Sequence, residues 1–305
     1  MANSTTGYFE TLVAAANEAQ TSLKYTNAFS EWVYAGHKPV TAQIGQTLNV
    51  PIPTVNEGDV TDIGGGSITP TDTAHTNQQI VFDKHFSTSF VIKTWDDIRT
   101  PRDLYSIWLE PRLEGLLRKV NSTLFGLVNT TQFNVHSSIT GGSDTFTRAN
   151  LGTAWANLTA YGVPTSQPNS MGFITHPAVY ANMTSSTDFY QESIVGKDVA
   201  EMVQQRAMIA DAYNTRIVYD QHFTPTSGAY PALMFHKYAI AVVSANLPSA
   251  NDPSVQETVA LPRPWLPVQI QMQYSLRDQG MLFHMHCGWG CKVVRPEFGQ
   301  YLVTT

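Results

Sequence analysis

Hydrophobic positions along this chain follow two periods, and the longest period-two run organises the rest. Between Gln79 and Trp95, Ile80, Phe82, Phe86, Phe90 and Ile92 share one parity, while Asp83, His85, Ser87, Ser89 and Lys93 take the other. Such alternation predicts a half-buried β-strand. An earlier limb, QIGQTLNVPIPTV from residue 43, keeps Leu48, Val50 and Ile52 in phase in the same way. A Gly/Asp/Pro-rich tip, residues 56–76, joins the limbs, so together they predict a β-hairpin. Fully extended, residues 79–95 would span about 55 Å at roughly 3.3 Å per residue, whereas ordinary strands hold about 5–6 residues. No other long alternating run adjoins them in sequence, and a two-stranded ribbon is marginal in water. Phe82, Phe86 and Phe90 therefore need a cover, either a neighbouring copy of the chain or the ribbon's own domain.

After Thr100 the period changes to that of a helix. Thr100, Pro101 and Asp103 supply a cap, a first-turn proline and a T-x-x-D capping box. Leu104, Ile107, Trp108, Leu113, Leu116, Leu117, Val120, Leu124 and Val128 make one apolar stripe, with Arg112, Glu114, Arg118 and Lys119 largely off it. Pro111 predicts a kink or a short lead-in segment. The whole reaches roughly 40 Å at 1.5 Å per residue. Residues 8–23 predict another helix, with Phe9, Leu12, Val13, Ala16 and Leu23 near one face, followed by an aromatic strap over residues 24–39. Past a polar loop at 129–147, Leu151, Ala154, Trp155, Leu158 and Tyr161 predict a helix that Gly162 and Pro164 stop. Strands are predicted within MGFITHP and at 215–219 and 232–243, with a short helix beginning PAVYANM and another helical stretch at 199–209. From Pro262 the pattern is β again: Val268, Ile270, Met272 and Tyr274 alternate, and a second long limb starts at Met281. The mixture predicts an α/β or α+β fold.

Several stretches carry a resemblance: GQTLNVPIP (45–53), DVTDIGGGSITPTD (59–72), the limb ending at Trp95, EPRLEGLLRKVN (110–121), FITHPAVYANM (173–183), ALMFHKYAIAVVSANLP (232–248) and GCKVVRPEFGQYLV (290–303). In this order they resemble the major capsid proteins of tailed phages with the HK-ninety-seven fold. The resemblance implies an α+β fold with an N-terminal arm at 1–40 and an extended loop at 41–98. It implies a peripheral domain from 99–135 with 260–289, built on a long spine helix, and an axial domain from 136–259 with 290–305. The implied function is a non-enzymatic coat protein that self-assembles into pentamers and hexamers of an icosahedral virion shell around double-stranded DNA. Phe82, Phe86, Phe90 and Lys84 on the loop, with Phe9 and Leu12 on the arm, are the expected intersubunit contacts. Expected partners are a separate scaffolding protein, a portal protein at one vertex, decoration proteins and non-specifically packaged DNA, with assembly in the host cytoplasm. Because the arm-like helix starts near residue 8, no cleaved scaffolding region is expected. Some relatives cross-link through a loop lysine, but Lys84 sits mid-limb beside Asp83, and no covalent link is expected. An encapsulin-like cage, or a hydrolase or carbohydrate-binding module with a hairpin lid, are the competing readings.

Composition narrows the chemistry. Across 305 residues the net charge is −6 with only 14% charged residues, and no basic stripe of a sequence-specific nucleic-acid binder occurs. Two cysteines exclude a disulfide scaffold, the N-terminus lacks a signal-peptide pattern, and no run approaches 18 apolar residues. His284, His286, Cys287 and Cys291 form the sharpest metal-like cluster. In a strand, however, the histidines point opposite to the cysteines, so the four cannot share one shell. The cysteines lie roughly 13 Å apart along a strand, too far to pair, and are expected to pack as small hydrophobes. Asp59, Asp62 and Asp72 around the tip read as a flexible loop rather than a calcium site. No cofactor or metal is expected, and no nucleophile, P-loop or zincin motif occurs.

Overall fold

The computed structural model describes residues 29, 32–36, 47–53, 75–94, 104–167, 169–190, 203, 209, 211–223, 225, 228–245, 247–248, 255–263 and 265–305. In chain order the elements are β1 (Thr47–Pro53), β2 (His75–Val81), β3 (Lys84–Lys93), α1 (Leu104–Phe125), β4 (Ile139–Thr140), α2 (Arg148–Ala160), β5 (Met171–Thr175), α3 (Pro177–Thr184) and α4 (Thr187–Tyr190). They continue as β6 (Thr215–Tyr219), β7 (Pro231–His236), β8 (Ile240–Ala245), β9 (Gln256–Arg263), β10 (Leu266–Ser275), β11 (Gly280–Val293) and β12 (Gly299–Val303).

The expected ribbon exists, but it is split. β1 and β2 pair antiparallel from Thr47↔Val81 to Pro53↔His75. At Phe82 and Asp83 the return limb breaks, and β3 leaves the hairpin to pair with β11 from Lys84↔Trp289 to Lys93↔Gly280. β11 is the 14-residue centre of a five-stranded sheet in the order β3-β11-β10-β9, with β8 added beside β11 over 288–293. The missing sheet partners were thus nearly two hundred residues away, and adjacency in sequence could not reveal them. β9 carries Pro262 on the outer edge of this sheet, where a missing donor is tolerated.

The inner face of that sheet, with Phe90, Ile92, Ile270, Met272, Phe283, Met285, Cys287 and Trp289, belongs to one core with α1. Leu109, Leu113, Leu116, Leu117, Val120 and Leu124 are the buried stripe of α1. Trp108, expected on that stripe, is instead 49% exposed, and Leu109 takes the inward place. Pro111 lies within one continuous helix rather than dividing it. As the eighth residue of α1 it removes an interior N–H, so the helix continues past one missing backbone hydrogen bond.

A second sheet has the order β4-β12-β7-β5-β6, with β5 and β6 parallel and β7 antiparallel to both neighbours in the sheet. α2 supplies Leu151, Ala154 and Leu158 to the core. Its start is fixed by a capping box between Thr147 and Asn150, and Gly162 at φ +75° turns the chain beyond its end. Tyr161, expected on the buried face, is exposed. The predicted strand at 232–243 is two strands: β7 enters the second sheet while β8, after a turn at Lys237–Ala239, pairs with β11 in the first. The expected boundary at 259/260 falls inside β9, and that at 289/290 falls inside β11.

Candidate functional site: the hairpin root and the open sheet face

Where β2 passes into β3, the chain lies against β11 at two glycines. A Cβ at Gly290 would stand 2.1 Å from the carbonyl oxygen of Val81, and one at Gly288 would stand 2.7 Å from the Phe82 ring. The sequence Gly-Trp-Gly thus gives the hairpin root a seat that no larger residue permits. Val50 and Ile80 of the hairpin join Ala241, Val243 and Val294 in a small separate cluster on the outer face of the sheet. Phe82 is 4% exposed and Phe90 6% exposed within the single chain.

That burial corrects an expectation. Phe82 and Phe90 do not await a neighbour, because their own sheet and hairpin cover them; Phe90 stacks on Phe283 with ring centroids 4.9 Å apart. Phe86 is half-buried, edge-on to Trp289 at 5.8 Å. Lys84 bonds its neighbour Asp83 at 2.8 Å, and its ammonium lies 5.9 Å from the Trp289 ring centroid. Phe9 and Leu12 fall outside the described residues, as do Thr100, the hairpin tip with Asp59, Asp62 and Asp72, and most of 199–209.

The strap is also partly a core element. Phe29 is fully buried among Phe125, Phe223 and Phe235. Its N–H donates to Asp220, whose carboxylate also accepts from Asn121 at 2.8 Å and from the His222 backbone at 3.0 Å. Asp220 and Asn121 are each 1% exposed, so this knot ties the strap, α1 and the end of β6 together in the interior. Tyr34 then bridges to β8, donating its N–H to Ile240 and accepting from Val242, both at 2.9 Å. Residues 29 and 32–34 therefore dock on their own domain rather than reaching across a neighbour. Nothing in sequence separated Asp220 and Asn121 from surface polar residues.

Beyond the hairpin root, the outer face of the first sheet is largely polar and only partly exposed, with Gln269 buried. It carries His85, Ser87 and Ser89 from β3, His284 and His286 from β11, Gln269 and Gln271 from β10, and Glu257 and Val259 from β9, by cross-strand register. His85 Nε2 and His286 Nδ1 are 3.2 Å apart, and the His284 and His286 rings are 5.0 Å apart. Burial and the neighbouring His284 and His85 push His286 down to about 4, and burial and His85 also lower His284. Cys287 and Cys291 lie on the opposite face, as free thiols. Burial raises them to about 12 and about 11 respectively, so both are inert thiols at neutral pH. Large apolar side chains remain exposed around this sheet: Val259 and Leu261 on β9, Tyr274 and Leu276 at the β10–β11 turn, and Val91 on β3. Periodicity did not mark β9 or the exposure of Val259 and Leu261, because an edge position is set by long-range strand pairing rather than by local pattern. Among the described residues no helix is long and apolar enough to cross a membrane.

No protein-family model and no curated protein matches the chain. Solved structures do. A structure of Mycobacterium phage Che8 aligns over 86% of this chain and 85% of its own, with 16% identity and a TM-score of 0.59. The capsid of the cyanophage P-SCSP1u aligns over 91% and 88%, with 13% identity and a TM-score of 0.62. The capsid of Ralstonia phage GP4 aligns over 92% and 91%, with 11% identity and a TM-score of 0.63. At these identities it is the architecture that matches, over nearly the full length of both chains. The two sheets, the long helix and the β1–β2 hairpin thus make up the HK-ninety-seven-like fold of phage capsid proteins.

Proposed function

We propose that this chain is the major capsid protein of a tailed double-stranded DNA phage, forming pentamers and hexamers of an icosahedral shell. The carrying observation is a likeness to phage capsid structures that spans about nine-tenths of both chains rather than one shared motif. In this reading α1 is the spine helix and the first sheet the body of the peripheral domain. The second sheet, with α2, is the axial domain around the capsomer centre. The β1–β2 hairpin is the root of the extended loop, and residues 1–40 correspond to the N-terminal arm. Lys84 and Phe86 stay candidate contacts, since both keep exposed surface. Val259, Leu261, Tyr274 and Leu276 are stronger ones, because they are apolar and uncovered in the single chain, the first two on the edge strand β9 and the last two at the far end of β10 by the β10–β11 turn.

The shell confines its genome without reading sequence, as a net charge of −6 and the lack of a basic stripe suit. A scaffolding protein, a portal at one vertex and decoration proteins complete the expected assembly in the host cytoplasm, and the protein resides in the virion. The test is electron microscopy of the full-length chain co-expressed with its phage's scaffolding protein, beside a Leu261→Asp, Leu276→Asp variant. Closed shells are expected from the parent, and folded but unassembled subunits from the variant, with unchanged circular dichroism. A parent that stays monomeric at every concentration overturns the reading, and normal shells from the variant move the contact elsewhere. Nuclease treatment of purified particles, followed by a nucleic-acid assay, separates a genome shell from a cargo cage.

A further inference from the structure

Where the hairpin, the first sheet and the second-sheet part of the subunit meet, the packing leaves a cavity of about 520 Å³. Its apolar lining comes from all three: Ile52 on β1, Ala241 on β8, and Pro164 and Phe298 beside the second sheet. Tyr34 of the strap and Tyr238 of the β7–β8 turn also line it, their rings edge to face with centroids 4.8 Å apart. Small-molecule pockets hold roughly 300–1,000 Å³, are mostly apolar with a few polar groups, and favour the seams between structural units. This cavity meets each condition.

One charge enters this lining. Arg295, just past the end of β11, is half-buried, and its guanidinium lies 4.8 Å from the Phe298 ring centroid. Among the described residues it has no ion-pair partner, and Glu297, two residues on, does not pair with it. No Asp or Glu is among the lining residues. Lys237 adds a second positive charge nearby, its ammonium 5.3 Å from the Tyr238 ring centroid. A guanidinium held against apolar and aromatic walls without a counter-ion favours an anion. Its planar fork of N–H donors matches a carboxylate, and such charge-assisted bonds strengthen where water is partly excluded.

We propose that this cavity binds a small organic anion, an aromatic or branched aliphatic body that carries one carboxylate. The body lies against Ile52, Pro164 and Tyr238, and the carboxylate takes the Arg295 fork. Bound there, the molecule touches β1 of the hairpin and the second-sheet part of the subunit at once, so it ties the hairpin to the body. The site rests on this chain's own lining and is independent of the capsid reading.

The test titrates the full-length chain with 4-phenylbutyrate and with its uncharged amide, a matched pair of probes, by calorimetry. The carboxylate should bind at least about tenfold more tightly than the amide, the margin that a hydrogen bond to a charged group supplies, and should raise the thermal midpoint as it is added. Hydrogen exchange should slow at β1 and at Gly162 and Val163 when the carboxylate is bound. Arg295→Gln should bring the two probes to equal affinity, and Arg295→Lys should restore part of the preference. Acid and amide are compared within each variant, so a general loss of stability does not imitate the result. No binding of phenylbutyrate by the parent, equal binding of both probes, or a preference that survives Arg295→Gln overturns the proposal. So does protection confined to other segments, since the anion would then sit elsewhere.

Discussion

The two five-stranded sheets solve the burial problem in opposite ways. In the second sheet, every residue of β5 is buried and β7 is buried from Ala232 to His236, so the central strands are covered on both faces. Their sequences, MGFIT and ALMF, are accordingly near-continuous apolar runs. The first sheet has longer strands, buries one face on α1, and leaves much of the other to polar and histidine side chains with apolar residues at its margins. One sheet is a self-sufficient core; the other is a scaffold with surface to spare. The residues that hold the subunit together and the exposed apolar residues are thereby separated onto different parts of the molecule.

Truncating the closed sheet should have the largest effect. Phe235 is fully buried and packs edge-on against Phe29 at 5.6 Å. Phe235→Ala is expected to cost about 3–5 kcal/mol, read as a lower denaturant midpoint of the whole subunit. A cost below that of a substitution on the open face, such as Val259→Ala, would break the contrast between the sheets.

Next comes the hairpin seat. Gly290→Ala must push the Val81 backbone off β11, and overpacking of this kind costs about 1–3 kcal/mol. Hydrogen exchange should quicken at β2 and the start of β3 while β5 and β7 keep their protection. Uniform loosening of both sheets would show that the root is not a separable unit.

A smaller effect is set by pH. His236 at the end of β7 is fully buried, and burial, with Lys237 and Arg295 nearby, pushes it down to about 4. Its folded form therefore stays neutral while the unfolded chain takes up a proton near pH 6.5. Below that value the unfolded state binds more protons, so stability declines as pH falls from about 6.5 towards about 4 and is unaffected above. Denaturation midpoints across that range should show the decline, and His236→Gln should lessen it, the remainder coming from His286 and His284, which burial also lowers.

Thiol chemistry should show the least. With Cys287 at about 12 and Cys291 at about 11, little thiolate exists at pH 8. Alkylation of the native protein should be far slower than of the unfolded chain, and reductant should leave its thermal midpoint unchanged. Rapid native labelling would mean that the inner face of the first sheet opens readily.

The sequence by itself determined the elements. Alternation marked β1, β3, β10 and β11; three- and four-residue spacing marked α1 and α2; and Thr147, Gly162 and Pro177 lie at the ends where local capping chemistry puts them. It also separated His284 and His286 from the two cysteines, because the period of a strand is a local property. What only the tertiary structure decided is what each face meets. β3 finds its partner β11 nearly two hundred residues away, so whether Phe82 and Phe90 are covered from within the chain is a matter of long-range pairing that no local pattern encodes. The same pairing brings His85 beside His286, and the fold alone turns Asp220 inward to hold the Phe29 N–H. Periodicity tells a side chain which way to point; only the folded chain supplies what stands there.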